Sequence, residues 1–322
     1  MHEKTYGKRY HRTLKQKKKK MSIEKDNVNS AILIVLIAGI FWSFGALAVR
    51  FIKDAHLVPW QYLFFRGSTI FLLLNIYLFI KEGKSFIQNY KKIGLSGIIG
   101  GISLGTAMMT FIWSITHTSA AVTLLMLAAM PFITAILGYI FLKEKVSSTT
   151  LISIVIAAIG IVLMALNSNK IGTLFGLVFG LLSALGFSIF SVSLRWRKET
   201  PTFTTVAIAG LFCAVFSFFV LIFTDANFFT TFRNSSLSAL HGLLVVSGLI
   251  LYSIGSKNLP AAELTLLSLT EVIGGIFWVW LPIFGINEVP SANTIIGGFI
   301  ITFAIFYYSF HTQRNRRFIG LN

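Results

Sequence analysis

From residue 30 to residue 310 the chain alternates apolar runs of about twenty residues with short breaks such as "KEGKSFIQNYKK", "KEKVSS" and "RWRKETP". Bilayer hydrocarbon offers no water to backbone N–H and C=O groups, so such runs cross it as helices, whose hydrogen bonds close within each segment. A span takes roughly 20 residues. Ten are expected, at about 30–50, 60–80, 93–115, 118–142, 149–167, 172–194, 203–224, 237–256, 261–284 and 292–310. No break between them is long enough for a separate soluble domain. The expected fold is therefore an all-α membrane protein with ten transmembrane helices. Only 12% of the 322 residues are charged, too few to cover a soluble surface.

The charges are unevenly placed. With both termini on one side, 23 of the 28 Lys and Arg fall on that side, 4 on the other, and Arg66 lies within a span. Leaving out the first 25 residues still gives 13 against 4. The positive-inside rule then puts both termini in the cytoplasm of a cell-membrane protein. Residues 1–28 read as a basic, solvated, disordered tail, suited to anionic lipid headgroups and not to nucleic acid; residues 311–322 form a second basic tail. Translation from Met21 in place of Met1 would remove most of the first. Other chemistry is scarce. One cysteine, scattered histidines and no phosphate-binding glycine loop point to no metal, no cofactor and no evident use of ATP.

Slid on itself by 141 residues, the chain matches in its details. Gly39 and Gly45 fall on Gly180 and Gly186, Gly101 on Gly242, and "AAVTLL" from 120 on "AAELTL" from 261. Three residues added in the second copy then bring "KEKVSS" from Lys143 onto "NEVPSA" from Asn287. Two copies of five spans must run oppositely, because five is odd. The expectation is two inverted five-helix repeats, 29–167 and 171–310.

The ninth run, "LLSLTEVIGGIFWVWL", contains Glu271 with no opposite charge beside it. It lies about 11 residues, or ~16 Å, into its span, where an acid costs on the order of 3 kcal/mol unless it meets a partner or a cavity. Glu271 shares a helix face with Leu264, Leu267, Gly275 and Trp278, and the repeat mates Thr123, Met126, Met130, Thr134 and Leu137 share the matching face of the fourth span. Pro131 cannot donate to the Leu127 carbonyl, so it either breaks the fourth helix beside a wet site or bends a packed one. Arg66, roughly six residues into its span, either pairs with Glu271 or snorkels to the interface. In the third span Gly97, Gly101 and Gly105 form a packing seam, as Gly172, Gly176 and Gly180 do in the sixth. On the other face of the third span, Thr106 and Thr110 either line a polar cavity or bond back to their own helix. Glu263, Trp60, Trp113 and Trp196 read as interfacial anchors, and Glu144 and Glu288 as structural acids at loop level.

These features resemble the EamA-type transporters of the drug/metabolite transporter superfamily over about residues 30–310. The resemblance rests on the two five-span copies and on the acid after the fourth helix of each, in "FLKEKVSS" and "GINEVPSA". It rests also on the arginine early in the second span, "FFRGS", and on the mid-membrane proline of "LAAMPFITAILGYIFLKE". It implies a carrier of amino acids, other metabolites or drugs, often moving them outward. The second copy departs from the pattern in having Val272 where many copies have proline. The function expected is secondary-active export of a small amphipathic metabolite such as an amino acid, by alternating access around a mid-membrane site. Its substrate residues would be Glu271, Trp278, Met130, Thr123, Thr134, Thr106 and Thr110, with Glu271, Arg66 and Pro131 in coupling or gating. Glu271 would take a proton or a substrate ammonium, and Arg66 would balance charge near the outer gate. A membrane-embedded enzyme is the alternative, but no His, Asp or Cys cluster converges within the spans. A non-transporting sensor or scaffold is suggested only by the basic tail.

Overall fold

The computed structural model describes residues 27–165, 174–197 and 199–319. The basic run 1–26, the break around "NSNK" and Gly172 lie outside them. The helices are α1 Asn27–Arg50, α2 Pro59–Glu82, α3 Ile87–Lys92, α4 Gly94–His117, α5 Ala120–Leu127, α6 Met130–Leu142 and α7 Ser148–Ala165. They continue as α8 Leu174–Trp196, α9 Thr202–Phe223, α10 Phe232–Gly255, α11 Ala261–Ser268, α12 Thr270–Trp280 and α13 Ala292–Ile319. No strand occurs among the described residues. With α5–α6 and α11–α12 each counted as one broken helix, 8 helices are long and apolar enough to cross a membrane. Ser148–Leu163 and Ile295–His311 are two shorter apolar helices.

Local chemistry sets the helix starts. Pro59 opens α2 at a position where its missing N–H would have had no partner. Ser119 Oγ accepts from Val122 N at 3.3 Å to cap α5, and Thr231 Oγ1 accepts from Asn234 N at 3.1 Å to cap α10. That second cap corrects the eighth span, which begins at Phe232 and not near 237. The polar "FRNSS" is tolerated there because the Asn234 amide bonds the backbone N and O of Lys53, at 3.2 and 3.1 Å.

Packing joins distant parts of the chain. α4 lies against α8 and α9, α2 against α9 and α10, and α7 against α13. α1 meets α10, where Trp42 fills the space left by Gly248. α2 and α9 approach almost backbone to backbone, since a Cβ on Gly67 would stand 2.8 Å from Gly210 O and from Ala214 N. The two broken helices lie side by side, with α5 beside α12 and α6 beside α11. Their breaks fall at matching places, after Leu127 and Ser268. At the first, Ala128 N and Ala129 N turn back to Leu125 O and Met126 O at 3.1 Å, and Pro131 sits in the first turn of α6, where no donor is needed. At the second, Leu269 N reaches Leu266 O at 3.2 Å and Val272 N reaches Leu269 O at 3.0 Å. The break after Ser268 forms without a proline.

Candidate functional site

A cavity of about 60 Å³ opens where these breaks meet the other helices. At ~10–15 Å³ of water-centre space each, it has room for roughly four to six waters. Most of its wall is apolar: Leu104, Met108 and Phe111 from α4, Met130 from α6, Val245 and Leu249 from α10. Trp42 and Phe187 form an aromatic corner, edge to face at 5.4 Å, with Tyr252 behind Trp42 at 5.3 Å. The Trp42 ring is fixed by its Nε1, which donates to Val245 O at 3.2 Å.

Three side chains with ionisable heads converge on this apolar space, from three helices: Arg66 of α2, His241 of α10 and Glu271 of α12. Arg66 is 5% exposed, so it does not snorkel to an interface. Its guanidinium lies 6.0 Å from the Phe111 ring centre, and its one recorded hydrogen bond is a long one, 3.5 Å to Met108 O. Its Nε is buried without an acceptor. Glu271 is half-buried. Among the described residues its carboxylate accepts no recorded hydrogen bond, and the two ion pairs within 4.0 Å both lie elsewhere. Arg66 and Glu271 therefore face one cavity without closing on each other. The break in the ninth span explains how the acid is held there. It puts Glu271 in the first turn of α12, where the positive end of the helix dipole favours a carboxylate. The Tyr62 hydroxyl bonds His241 Nδ1 and fixes that ring.

Other expected site residues lie elsewhere. Thr106 Oγ1 donates to Ile102 O, and Thr110 Oγ1 donates to Thr106 O, both at 2.9 Å, so this stripe satisfies its own helix and is no part of the cavity wall. Thr123 is buried in a hydroxyl cluster, 2.9 Å from both Ser114 Oγ and Thr118 Oγ1. Trp278 packs α12 on α1: its ring stacks on Phe44 at 4.6 Å and its Nε1 donates to Ser43 Oγ at 2.8 Å. Thr134 lines a second, smaller cavity of about 10 Å³ with Glu144, Thr150 and Glu263. Pro131 lies beside the main cavity, next to Met130. Glu263 is no interfacial anchor. It is 8% exposed and accepts from Thr150 Oγ1 at 3.1 Å and from the Tyr308 hydroxyl.

Trp42, Phe187, Ser183 and His241 line the cavity although sequence reasoning gave them no role. A span beginning near 237 would put His241 close to its end. Counted from Phe232 it is nine residues in, ~13 Å.

Comparison with known proteins agrees with this architecture. Residues 29–166 match the EamA-like transporter family. The chain is 25% identical over 263 residues to an uncharacterized transporter of Helicobacter pylori (strain J99), covering 79% of this chain and 87% of that one. It is 24% identical over 284 residues to the pseudopaline exporter CntI of Pseudomonas aeruginosa (strain UCBPP-PA14), covering 87% of this chain and 95% of the relative. A solved crystal structure shares the fold, with a TM-score of 0.67 at 19% identity over 88% of this chain and 98% of that one.

Proposed function

We propose that the chain is an EamA-type transporter and, within that family, a secondary-active exporter of a small amphipathic metabolite such as an amino acid; the family match over residues 29–166 and the relatives named as transporters support this reading. The observation that carries this reading is the pair of charges left open in the cavity. Arg66 has a donor without an acceptor, and among the described residues Glu271 takes part in neither ion pair and accepts no side-chain hydrogen bond. Buried polar groups are ordinarily satisfied, and those that are not call for an explanation. A substrate with an anionic group for Arg66, a cationic group for Glu271 and an apolar body for the Trp42–Phe187 corner would supply one. A proton on Glu271 is the other occupant of that acid, and it would couple transport to a proton gradient. Outward transport is supported by the relative named as an exporter.

The same reading takes 29–167 and 171–310 as two inverted five-helix repeats. Each of the pairings α2–α9, α5–α12, α6–α11 and α7–α13 joins an element of one half to its counterpart, or to the other piece of its counterpart, in the second. That pattern is expected of a pseudo-twofold axis lying in the membrane plane. The alternating-access motion would swing these halves about the two breaks. The excess of Lys and Arg on one side supports a cytoplasmic position for both termini of a cell-membrane protein.

Thermal stability of the purified protein against a panel of amino acids, amines and organic acids tests this, with Glu271→Gln in parallel. A ligand at 100 times its Kd stabilises by about 2.7 kcal/mol. The reading expects a stabilising zwitterion or amine whose effect disappears in the variant. A panel in which every hit stabilises both proteins alike would remove Glu271 from the substrate site.

A further inference from the structure

We propose that Glu288–Arg50 and Glu144–Arg195 are a matched pair of locks that close the cavity at its two ends in turn. The inference rests on the alternating-access reading and adds to it the contacts that must part. Glu288 follows α12 and belongs to the second half. It accepts from Arg50 Nε at 2.5 Å and from Ala120 N at 3.3 Å, the end of α1 and the start of α5 in the first half. Glu144 follows α6 and belongs to the first half. It accepts from Arg195 Nε at 2.5 Å and from Ala261 N at 3.0 Å, the end of α8 and the start of α11 in the second half. The two arrangements are the same with the halves exchanged.

The remaining details repeat as well. Arg50 also donates to Ile115 O and Thr118 O, at 2.9 and 3.0 Å, and Arg195 to Ser256 O at 2.8 Å. Each arginine thus gathers the carbonyls that end a neighbouring helix around the acid from the opposite half. Each acid is presented by a left-handed residue just before it, Asn287 at φ 50° and Lys143 at φ 54°. Each also bonds the N-terminus of the half-helix, α5 or α11, that leads toward the central break. Parting one lock therefore frees the outer end of one broken helix while the other lock still holds the opposite end.

The degree of burial suits a contact that opens in every cycle. Side-chain exposures are 20% and 31% for Arg50 and Glu288, and 25% and 19% for Arg195 and Glu144. Water can reach these groups as they separate, so parting them avoids the heavy penalty of stranding a fully buried charge. On the charge count, Arg50–Glu288 is the outer lock and Arg195–Glu144 the cytoplasmic one.

The test uses Ser183→Cys as a reporter in the cavity wall, with the full chain in oriented vesicles and a membrane-impermeant maleimide on one side at a time. The native Cys213 is fully buried, so the protein without the reporter is the blank, and reaction at Cys213 betrays a misfolded variant. Labelling of the reporter from both sides is the result expected of alternating access; labelling from one side only refutes that reading itself. Given access from both sides, Glu288→Gln should raise the external rate and lower the internal one by up to about fivefold, and Glu144→Gln should do the reverse. The exchanged pair Arg50→Glu with Glu288→Arg should bring the rates back toward those of the reporter alone. Equal shifts in both neutral variants, no shift in either, or a Glu288→Gln pattern unchanged in the exchanged pair would each overturn the locks while leaving alternating access standing.

Discussion

Adding one methyl group to α2 should destabilise the protein, whereas the same addition to α13 should stabilise it. In Gly67→Ala the new carbon would lie 2.8 Å from Ala214 N and 2.8 Å from Gly210 O, and ordinary contact begins at 3.4 Å. Both obstacles are backbone, so no rotamer change relieves them, and α2 must retreat from α9 by about 0.6 Å. Overpacking of this kind costs about 1–3 kcal/mol. Alanine restrains the unfolded chain and returns roughly 0.4–1 kcal/mol. The midpoints of the two ranges, about 2 and 0.7 kcal/mol, leave a net loss of about 1.3 kcal/mol. Gly298 of α13 has nothing within 4 Å of the added carbon, so Gly298→Ala keeps only the gain. Cys213 supplies the readout: it is the single cysteine and is fully buried, so a thiol-reactive fluorophore reports unfolding as temperature or denaturant rises. Because Arg66 is the residue before Gly67, the retreat of α2 should also weaken ligand binding, whereas Gly298→Ala should leave it unchanged. A Gly67→Ala protein as stable as the parent, or a Gly298→Ala protein equally destabilised, would refute the close approach of α2 and α9.

Three further outcomes follow from single contacts. Ser114→Ala removes the bonds of Ser114 Oγ to Gly176 O at 2.8 Å and to Thr123 Oγ1 at 2.9 Å, and should cost between about 0.6 and 1.7 kcal/mol in the same unfolding assay. Arg66→Lys keeps a charge in the cavity but loses the planar fork; for a ligand bearing a carboxylate, isothermal titration should show a Kd weakened about tenfold, and for one without, no change. Lys143→Asn puts at φ 54° a residue that tolerates the left-handed region, as Asn287 does in the second half, and should raise stability by up to about 1 kcal/mol while preserving both ion pairs.

Much of the helical plan was legible because hydrophobic length is a local property. The apolar runs, the break near Pro131 and the isolated Glu271 could all be read within twenty residues of sequence. What could not be read was which side chains meet across long separations. Glu144 and Glu288 looked like loop acids because their arginines lie 51 and 238 residues away. Glu263 looked interfacial because Tyr308, its partner from the last helix, is 45 residues on. The hydroxyls of Thr106 and Thr110 have two ways of being satisfied, and helical spacing does not distinguish a cavity from the carbonyl one turn back. The break before Glu271 carries no proline signal; beside the backbone bonds at Leu269, Ser268 Oγ donates to Thr265 O at 2.8 Å and Thr270 Oγ1 to Leu267 O at 3.1 Å, a pattern that hydroxyls also make in unbroken helices. Trp42 stands between the repeat-marking Gly39 and Gly45, and nothing in its own run points to its partners Val245 and Phe187, which lie far along the chain.

On the two-repeat reading, Met130 and Glu271 are mates 141 residues apart, and both line one cavity. If the halves were separate, identical chains joined around a twofold axis, that position would be methionine twice or glutamate twice. Two carboxylates ~5 Å apart would repel by about 3 kcal/mol at an effective dielectric of ~20. Two methionines would leave no charge to meet a cation. Fusion into one polypeptide lets the mates diverge, and with them Arg66 and its own mate Ala207. On that reading the cavity would gain a polarity that its scaffold lacks: a molecule with one cationic end would enter with only that end toward α12, whichever side of the membrane it came from.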